Sequence, residues 1–231
     1  ADAVSVTPQT LSDGQKTQAR TNINSAPGGF GLGGSPSNAY IATNGDDINA
    51  IGWYVFSPQI AGFIFGYSLV RHEKYDDSYA VQTAYLFDAT SGKGKNHVIR
   101  RVKESSTWYP WEWVNPPMQL GIEYRTTERY MGKPVYVKTV DTGALPNATY
   151  KEISASFPNA NRILSVYGSA YQDADHVIPL PCLKYGKSAY GTDNAVQVTV
   201  NNTTSITIST LLDMSGFTTS SVCVKYTKST D

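Results

Sequence analysis

The stretch AVQVTVNNTTSITIST, residues 195–210, constrains the fold more than any other part of the chain. Val196, Val198 and Val200 fall on one face of an extended strand, and Ile206 and Ile208 return to that face beyond the NNTT turn. Side chains alternate with a period of two along a strand, so this spacing predicts a hairpin with one buried face. SSVCVKYTK, residues 220–228, repeats the pattern with Val222, Val224 and Tyr226. Several such strands within about a hundred residues favour an antiparallel sandwich, in which each sheet covers the other's apolar face.

The rest of the chain agrees. Sixteen tyrosines, many Thr and Ser, and Gly and Pro turns between short alternating runs suit pleated, half-buried surfaces. The expected class is mainly β, in three parts. Residues 1–35 hold a short helix and a glycine-rich connector. There Ser12 and Gln15 match a capping box, with KTQARTNI continuing the helix to Asn24. Its apolar content is little more than Leu11, Ala19 and Ile23, and so short a helix is marginal alone in water. It must pack on something else. APGGFGLGGSPS then reads as a flexible junction.

Residues 36–118 form a small α+β unit. A short helix at DDINAI precedes strands in GWYVF, GFIFGYSLVRH, YAVQTAYLF, NHVIRRV and WYPWEWV, with turns at SPQ, YDDS and SGKG. Pro116-Pro117 closes this unit, because proline donates nothing to a ladder. Residues 119–231 form the antiparallel β-sandwich. Cys182 and Cys223 read as small hydrophobes inside strands rather than as a disulfide.

Nineteen basic and nineteen acidic side chains leave no global field to draw nucleic acid or an anionic membrane. The longest apolar run, IAGFIFGY, is far short of the roughly 20 residues a spanning helix needs. No membrane insertion is expected. The opening at Ala1, inside a strand-like segment, predicts that more chain precedes it.

The motifs that would carry chemistry are each incomplete or ambiguous in this chain. GFGLGG, residues 29–34, fits the dinucleotide fingerprint in letters, but a helix precedes it and SPS follows, the reverse of what a pyrophosphate site requires. Gly186-Lys187-Ser188 mimics the end of a P-loop, yet Pro181 stands where the leading glycine belongs. His72, His97 and His176 occur in no nucleophile elbow or zinc-binding helix motif. Asp46-Asp47 fits helix N-terminal acids and Asp76-Asp77 fits turn formers; a glycosidase pair is the competing reading. QDADH, residues 172–176, is a solvated loop or a weak ion or ligand site. KGKNHVIRRVK, residues 93–103, is a solvent-facing strand or a phosphate-holding patch. Neither an enzyme nor a cofactor is expected, and no metal site is assigned.

TWYPWEWVNPP, residues 107–117, contains three of the four tryptophans. On one continuous strand Tyr109, Trp111 and Trp113 share a face, opposite Trp108, Pro110, Glu112 and Val114. Such a stripe is a core or subunit interface, or else an exposed platform on which sugars stack.

LSDGQKTQARTNINSAPGGFGLGG resembles the short helix and glycine-rich junction of bacteriophage fibres. GWYVF together with the closing WYPWEWV resembles the pyocin-knob domain, and EYRTTERYMGKPVYVKTVDTGALPN through VIPLPCLKYG to VKYTKST is similar to head domains of phage and bacteriocin fibres. Asn24-Ser25 stands where the family commonly has a glycine. The resemblance implies a virion fibre tip, assembled in the bacterial cytoplasm and attached to an upstream shaft. It implies a homotrimer that binds a bacterial surface polysaccharide or protein. It carries over no binding residues. A surface-polysaccharide depolymerase and a fibre without a dedicated receptor are the alternatives. Because loops on a rigid scaffold carry recognition, the receptor site is expected at the distal end of the sandwich. Tyr171, Asp173, Asp175, His176, Tyr185 and Tyr190 are the candidates, since rings and carboxylates suit a polyhydroxylated ligand.

Overall fold

The computed structural model describes residues 10–22, 40–41, 44–57, 66–87, 96–182 and 195–231. Helix α1, Asp13–Asn22, starts where the capping box predicts. Gln15 N–H donates to Ser12 Oγ at 3.3 Å, and Ser12 N–H donates to Gln15 Oε1 at 2.9 Å. Ile23, Asn24 and the GFGLGG junction lie outside the described residues.

The first half of the chain continues as β1 Tyr40–Ile41, β2 Gly52–Phe56, β3 Ser68–Lys74, β4 Ala80–Leu86, β5 His97–Glu104, β6 Thr107–Trp108 and β7 Glu112–Trp113. The second half holds β8 Glu123–Tyr130, β9 Lys133–Asp141, β10 Tyr150–Ser154, β11 Ala160–Tyr171 and β12 Val177–Leu180. It ends with β13 Val196–Asn201, β14 Ser205–Thr210 and β15 Thr219–Lys228. The fold is mainly β, as expected. One large sheet runs β1-β2-β3-β4-β5-β7-β8-β9-β15-β11-β12, with β6 beside β5, and a smaller sheet runs β10-β14-β13.

The 195–210 hairpin forms in the predicted register, with Val198 opposite Ile208 and Val200 opposite Ile206. Asn202 and Thr203 make its turn in the left-handed region, at φ 46° and 61°. The small sheet packs on the β9-β15-β11-β12 end of the large one. Ile206 and Ile208 meet Val222, Val224, Tyr226 and Phe157 in one core, so the sandwich is present. β15 is buried on its other face too, where Cys223 joins Val137 and Tyr124. Both cysteines are free.

That second face belongs to a core shared with the first half of the chain. Cross-strand register sets Tyr54, Val70, Ala84, Ile99 and Trp113 in one row, and all are buried. Trp113 then pairs with Thr126 in parallel across the Pro116-Pro117 segment, and its ring meets Tyr124 edge-on at 5.3 Å. The large sheet therefore crosses from one predicted unit into the next without a break.

The next row of the same sheet carries His72, Gln82 and Arg101. All three are buried, so their polar atoms must find each other. Arg101 Nε donates to Gln82 Oε1 at 2.9 Å, and Gln82 Nε2 lies 2.8 Å from the Gly45 carbonyl and 3.2 Å from His72 Nδ1. Arg101 Nη1 pairs with Asp46 at 2.7 Å, and its guanidinium lies 4.3 and 4.6 Å from the Trp108 and Trp111 rings.

This network corrects several sequence expectations. DDINAI is not a helix but a turn, in which Asp46 N–H donates to Asn44 Oδ1 and Asn44 Nδ2 donates to Asp47. Asp46 answers Arg101 rather than a helix dipole. β5 is an interior strand, so Arg101 is buried at 6% exposure and only Arg100 of that pair faces solvent. TWYPWEWV is not one strand either. Pro110 interrupts pairing between β6 and β7, and Glu112 and Trp113 are both buried although adjacent. The tryptophans are core and Arg101 clamp, and Tyr109 alone of the predicted stripe is exposed.

His72 is 1% exposed, and burial followed by Lys74, Lys103 and Arg101 lowers its pKa to about 4. The unfolded ring takes its proton near the ordinary value of about 6.5. The stabilisation is therefore complete above that value and drains as pH falls towards 4, by up to about 3 kcal/mol. Urea unfolding at pH 7 and pH 4.5 measures the loss. It is expected to shrink in His72→Gln, and an equal loss in the variant would contradict a buried neutral imidazole.

Candidate functional site

The YDDSY turn between β3 and β4 is held by its own acids. Asp76 Oδ1 accepts from Ser78 N–H at 2.7 Å and Tyr79 N–H at 2.9 Å, and Asp77 pairs with Lys74 at 2.6 Å. Lys74 holds the Asp77 carboxyl below its usual value. The turn-former reading of this pair is correct. Its consequence is the display of Tyr75, 91% exposed, and Tyr79 beside it. Ser106 N–H reaches the Ser78 carbonyl at 3.1 Å and Tyr109 N–H the Val102 carbonyl at 2.9 Å, which brings Tyr109 alongside.

A second turn faces this one. β8 and β9 are joined by Met131 and Gly132, at φ 50° and 81°, the two-residue geometry that suits hairpins and favours glycine. Between the YDDSY turn and this hairpin lies a cleft of about 1010 Å³. That is at the upper end of the roughly 300–1,000 Å³ usual for small-molecule sites. Tyr75, Tyr79, Tyr109 and Pro110 line one wall, and Arg129, Lys133, Pro134 and Asp231 line the other.

Glu112 and Arg125 lie at the join of the two walls. Arg125 sits opposite Tyr136, but Arg129 sits opposite Pro134, so β8 spends four residues where β9 spends two. Such an irregularity re-aims side chains. Both arginines converge on Glu112: Arg125 Nε at 3.0 Å, and Arg129 Nη2 at 2.8 and 2.7 Å from the two carboxylate oxygens. Arg125 Nη1 also donates to Asp231 at 2.6 Å and to the Tyr136 hydroxyl at 2.8 Å. Two cations and two anions are thus mutually satisfied. Across the cleft, Tyr109 O–H donates to Glu104 Oε2 at 3.1 Å, and the carboxylate raises the phenol pKa from its ordinary value.

The residues expected from sequence lie elsewhere. Tyr171 ends β11 and is 43% exposed; Asp173, Asp175 and His176 follow in the exposed turn to β12. Asp173 Oδ1 accepts from the backbone N–H of Asp175 and of His176, both at 2.9 Å, and its carboxylate sits 2.8 Å from His176 Nδ1. The hydrogen bond with His176 leads in lowering the Asp173 pKa. Asp173, Asp175 and His176 come together as a self-satisfied turn, while the Tyr171 hydroxyl accepts from Ser169 on its own strand. Tyr185 and Tyr190 lie outside the described residues. Tyr171 pairs with Thr219 at the start of β15, whereas Thr230 and Asp231, just beyond its end, line the cleft. At ~3.4 Å per residue, the ten residues of β15 separate the two places by roughly 30 Å.

Among the described residues, no three His, Cys, Asp or Glu side chains are grouped to hold a metal ion. No described helix is long and apolar enough to cross a membrane. The cleft is not found from the sequence; the signals for it are the tyrosines flanking the DD turn and MGK at the facing hairpin.

Removing Glu112 leaves Arg129 without a carboxylate and Arg125 with only Asp231. Loss of one partner of a buried pair is costly, so Glu112→Ala is expected to lower stability by about 3 kcal/mol. Arg129 is 41% exposed and its charge is partly solvated, so Arg129→Ala should cost less than about 1 kcal/mol. Denaturant midpoints of the two variants check the order, and equal losses would mean that the carboxylate is not the hub.

No protein-family model and no curated protein matches this chain. Three solved structures are similar to it. An N-truncated R2-type pyocin tail fiber matches at 12% identity over 81% of this chain and 94% of that one, with a TM-score of 0.25. A C-terminal portion of the P. aeruginosa R2 pyocin fiber matches at 13% identity over 84% and 68%, with a TM-score of 0.26. A C-terminal portion of the P. aeruginosa R1 pyocin fiber matches at 10% identity over 81% and 66%, with a TM-score of 0.25.

Proposed function

We propose that this chain is the receptor-binding module of a bacteriophage or R-type bacteriocin fibre, which attaches the particle to a bacterial surface glycan or protein. The observation that carries this reading is the cleft with three exposed tyrosines on one wall and engaged carboxylates at its join. Aromatic faces beside hydrogen-bonding groups hold a polyhydroxylated chain without reacting with it. Hydrolysis of a glycosidic bond needs one acid free to protonate and a second free to attack or to activate water. Glu112 instead accepts three arginine donors, and Glu104 is hydrogen-bonded to Tyr109. The module is read as a binder, not an enzyme.

Helix α1 supports assembly into a homotrimer on an upstream shaft. Its described side chains, Asp13 through Ala19, are all exposed, and ten residues of helix are marginal in water without a partner. Copies of the helix supply that partner. Three modules on one fibre gain avidity through effective concentration, so each site is allowed to be weak.

Labelled protein incubated with a panel of bacterial strains tests the function. Retention on at least one strain is expected, and Tyr75, Tyr79 and Tyr109 replaced together by Ala should reduce it at least about tenfold, since each stacking ring contributes of order 1 kcal/mol. Undiminished retention in that variant, with loss on Tyr171→Ala and His176→Ala, would move the site to the distal turn. Retention by no strain would remove the receptor reading, and new reducing ends on the bound polymer would make the module a depolymerase. Light scattering should give three times the chain mass, and a monomer would contradict the role assigned to α1.

A further inference from the structure

The floor of the cleft is part of a larger surface. Glu73, Val81 and Val102 line the cleft and stand opposite one another across β3, β4 and β5, on the face of the sheet that His72, Gln82 and Arg101 turn away from. Successive side chains of a strand point to opposite faces, so residues two positions along continue this surface. They are Arg71, Thr83 and Arg100, flanked by Trp53 of β2 and by Glu112 of β7, itself a cleft residue. Two positions further, Val55, Leu69, Tyr85 and Val98 make the next row. Tyr85 is 41% exposed, and its ring lies 5.9 Å from that of Trp53 at an interplanar angle of 37°.

The same face thus runs from the cleft floor, past two guanidinium groups and a threonine hydroxyl, to a second pair of aromatic rings. At ~3.4 Å per residue, four residues of β4 separate Tyr85 from Val81 by about 14 Å. From this continuity we infer that the receptor is taken as an extended polysaccharide, one stretch seated in the cleft and a further stretch laid along the sheet face onto Trp53 and Tyr85. A sugar ring offers an apolar face to an aromatic ring and hydroxyls at its rim, so stacking stations work best with hydrogen-bonding groups between them. Thr83 and Arg100 supply these in the intermediate row, and Arg71, although paired with Glu73 at 2.5 Å, keeps further donors. A second copy of the chain is the competing occupant of an open sheet face. The centre of a protein interface is depleted of charge, whereas Arg71, Glu73 and Arg100 stand between the cleft floor and the Trp53–Tyr85 pair. A hydrated polymer suits that face better than a packed apolar surface does.

This inference rests on the cleft being the receptor site, and the experiment separates the two. Polysaccharide released from a strain that retains the protein is cut by mild acid, and the fragments are sorted by length and titrated. Long fragments are expected to bind about tenfold more tightly than the shortest that bind, the effect of two further stacked rings. Trp53 and Tyr85 replaced together by Ala should remove that gain and leave short fragments bound as before. Because Trp53 is partly buried, Tyr85→Ala alone, at an exposed position, guards against a folding defect and should cost long fragments about threefold. Affinity independent of length, or a gain untouched in both variants, would overturn the inference and leave the cleft reading intact. A smaller mass for the double variant in light scattering would make the face a contact between copies and overturn it too. Cells retained while no fragment binds would make the receptor a protein, again overturning the polysaccharide. Short fragments bound undiminished when Tyr75, Tyr79 and Tyr109 are replaced by Ala would overturn both readings.

Discussion

Burial of β15 on both faces is the constraint on which the remaining structure depends. Val222, Val224 and Tyr226 fill the sandwich core at 0% exposure, while Cys223 between them faces the other way into the core built by the first half of the chain. A strand enclosed on both sides cannot slip by one residue without exchanging Cys223 for a valine or tyrosine in a packed space. Its register therefore fixes where both halves of the molecule sit. The hydroxyl of Tyr226 is hydrogen-bonded to Glu123 and its phenol pKa is driven well above the ordinary value, first by burial and then by that carboxylate. The same ladder holds β9, and through β9 the hairpin that makes one wall of the cleft.

The other wall depends on a buried cation. Arg101 lies between Trp108 and Trp111 with Asp46 and Gln82 at its nitrogens, so the charge is paired and its remaining surface covered by aromatic faces. Burial lowers the guanidinium pKa and Asp46 opposes that shift. With Trp108 turned inward over the arginine and Pro110 unable to pair, the intervening Tyr109 is left pointing out. The tryptophans thus fix the outward direction of Tyr109, which lines the cleft with Tyr75 and Tyr79.

Local signals were legible and long-range ones were not. The capping box, the 195–210 register, the Asp76-Asp77 turn and the alternation in β15 rest on contacts a few residues apart, and each formed as spacing predicts. DDINAI failed because Asp46 is drawn to Arg101, fifty-five positions away, and an Asx turn serves that pairing better than a helix would. At the distal turn the sequence shows which groups are present but not that Asp173 and His176 hydrogen-bond each other. The cleft was missed because its walls come from turns some fifty residues apart, brought face to face by the parallel pairing of Trp113 with Thr126 and by the ion pairs of Glu112.

The proposed binding role, as against catalysis, rests on the disposition of the cleft's carboxylates rather than on their number. An acid that does chemistry must exchange a proton at the reacting bond, which requires a lone pair that is neither spent nor held by a fixed cation. Glu112 accepts from Arg125 and Arg129, and Asp231 accepts from Arg125 and Tyr136. These acids purchase rigidity at the join of two sheet halves. Glu104 is the exception, open on one oxygen and tied on the other to a ring. Under the proposed function such a site is allowed to be weak, because linked copies raise the effective concentration of each.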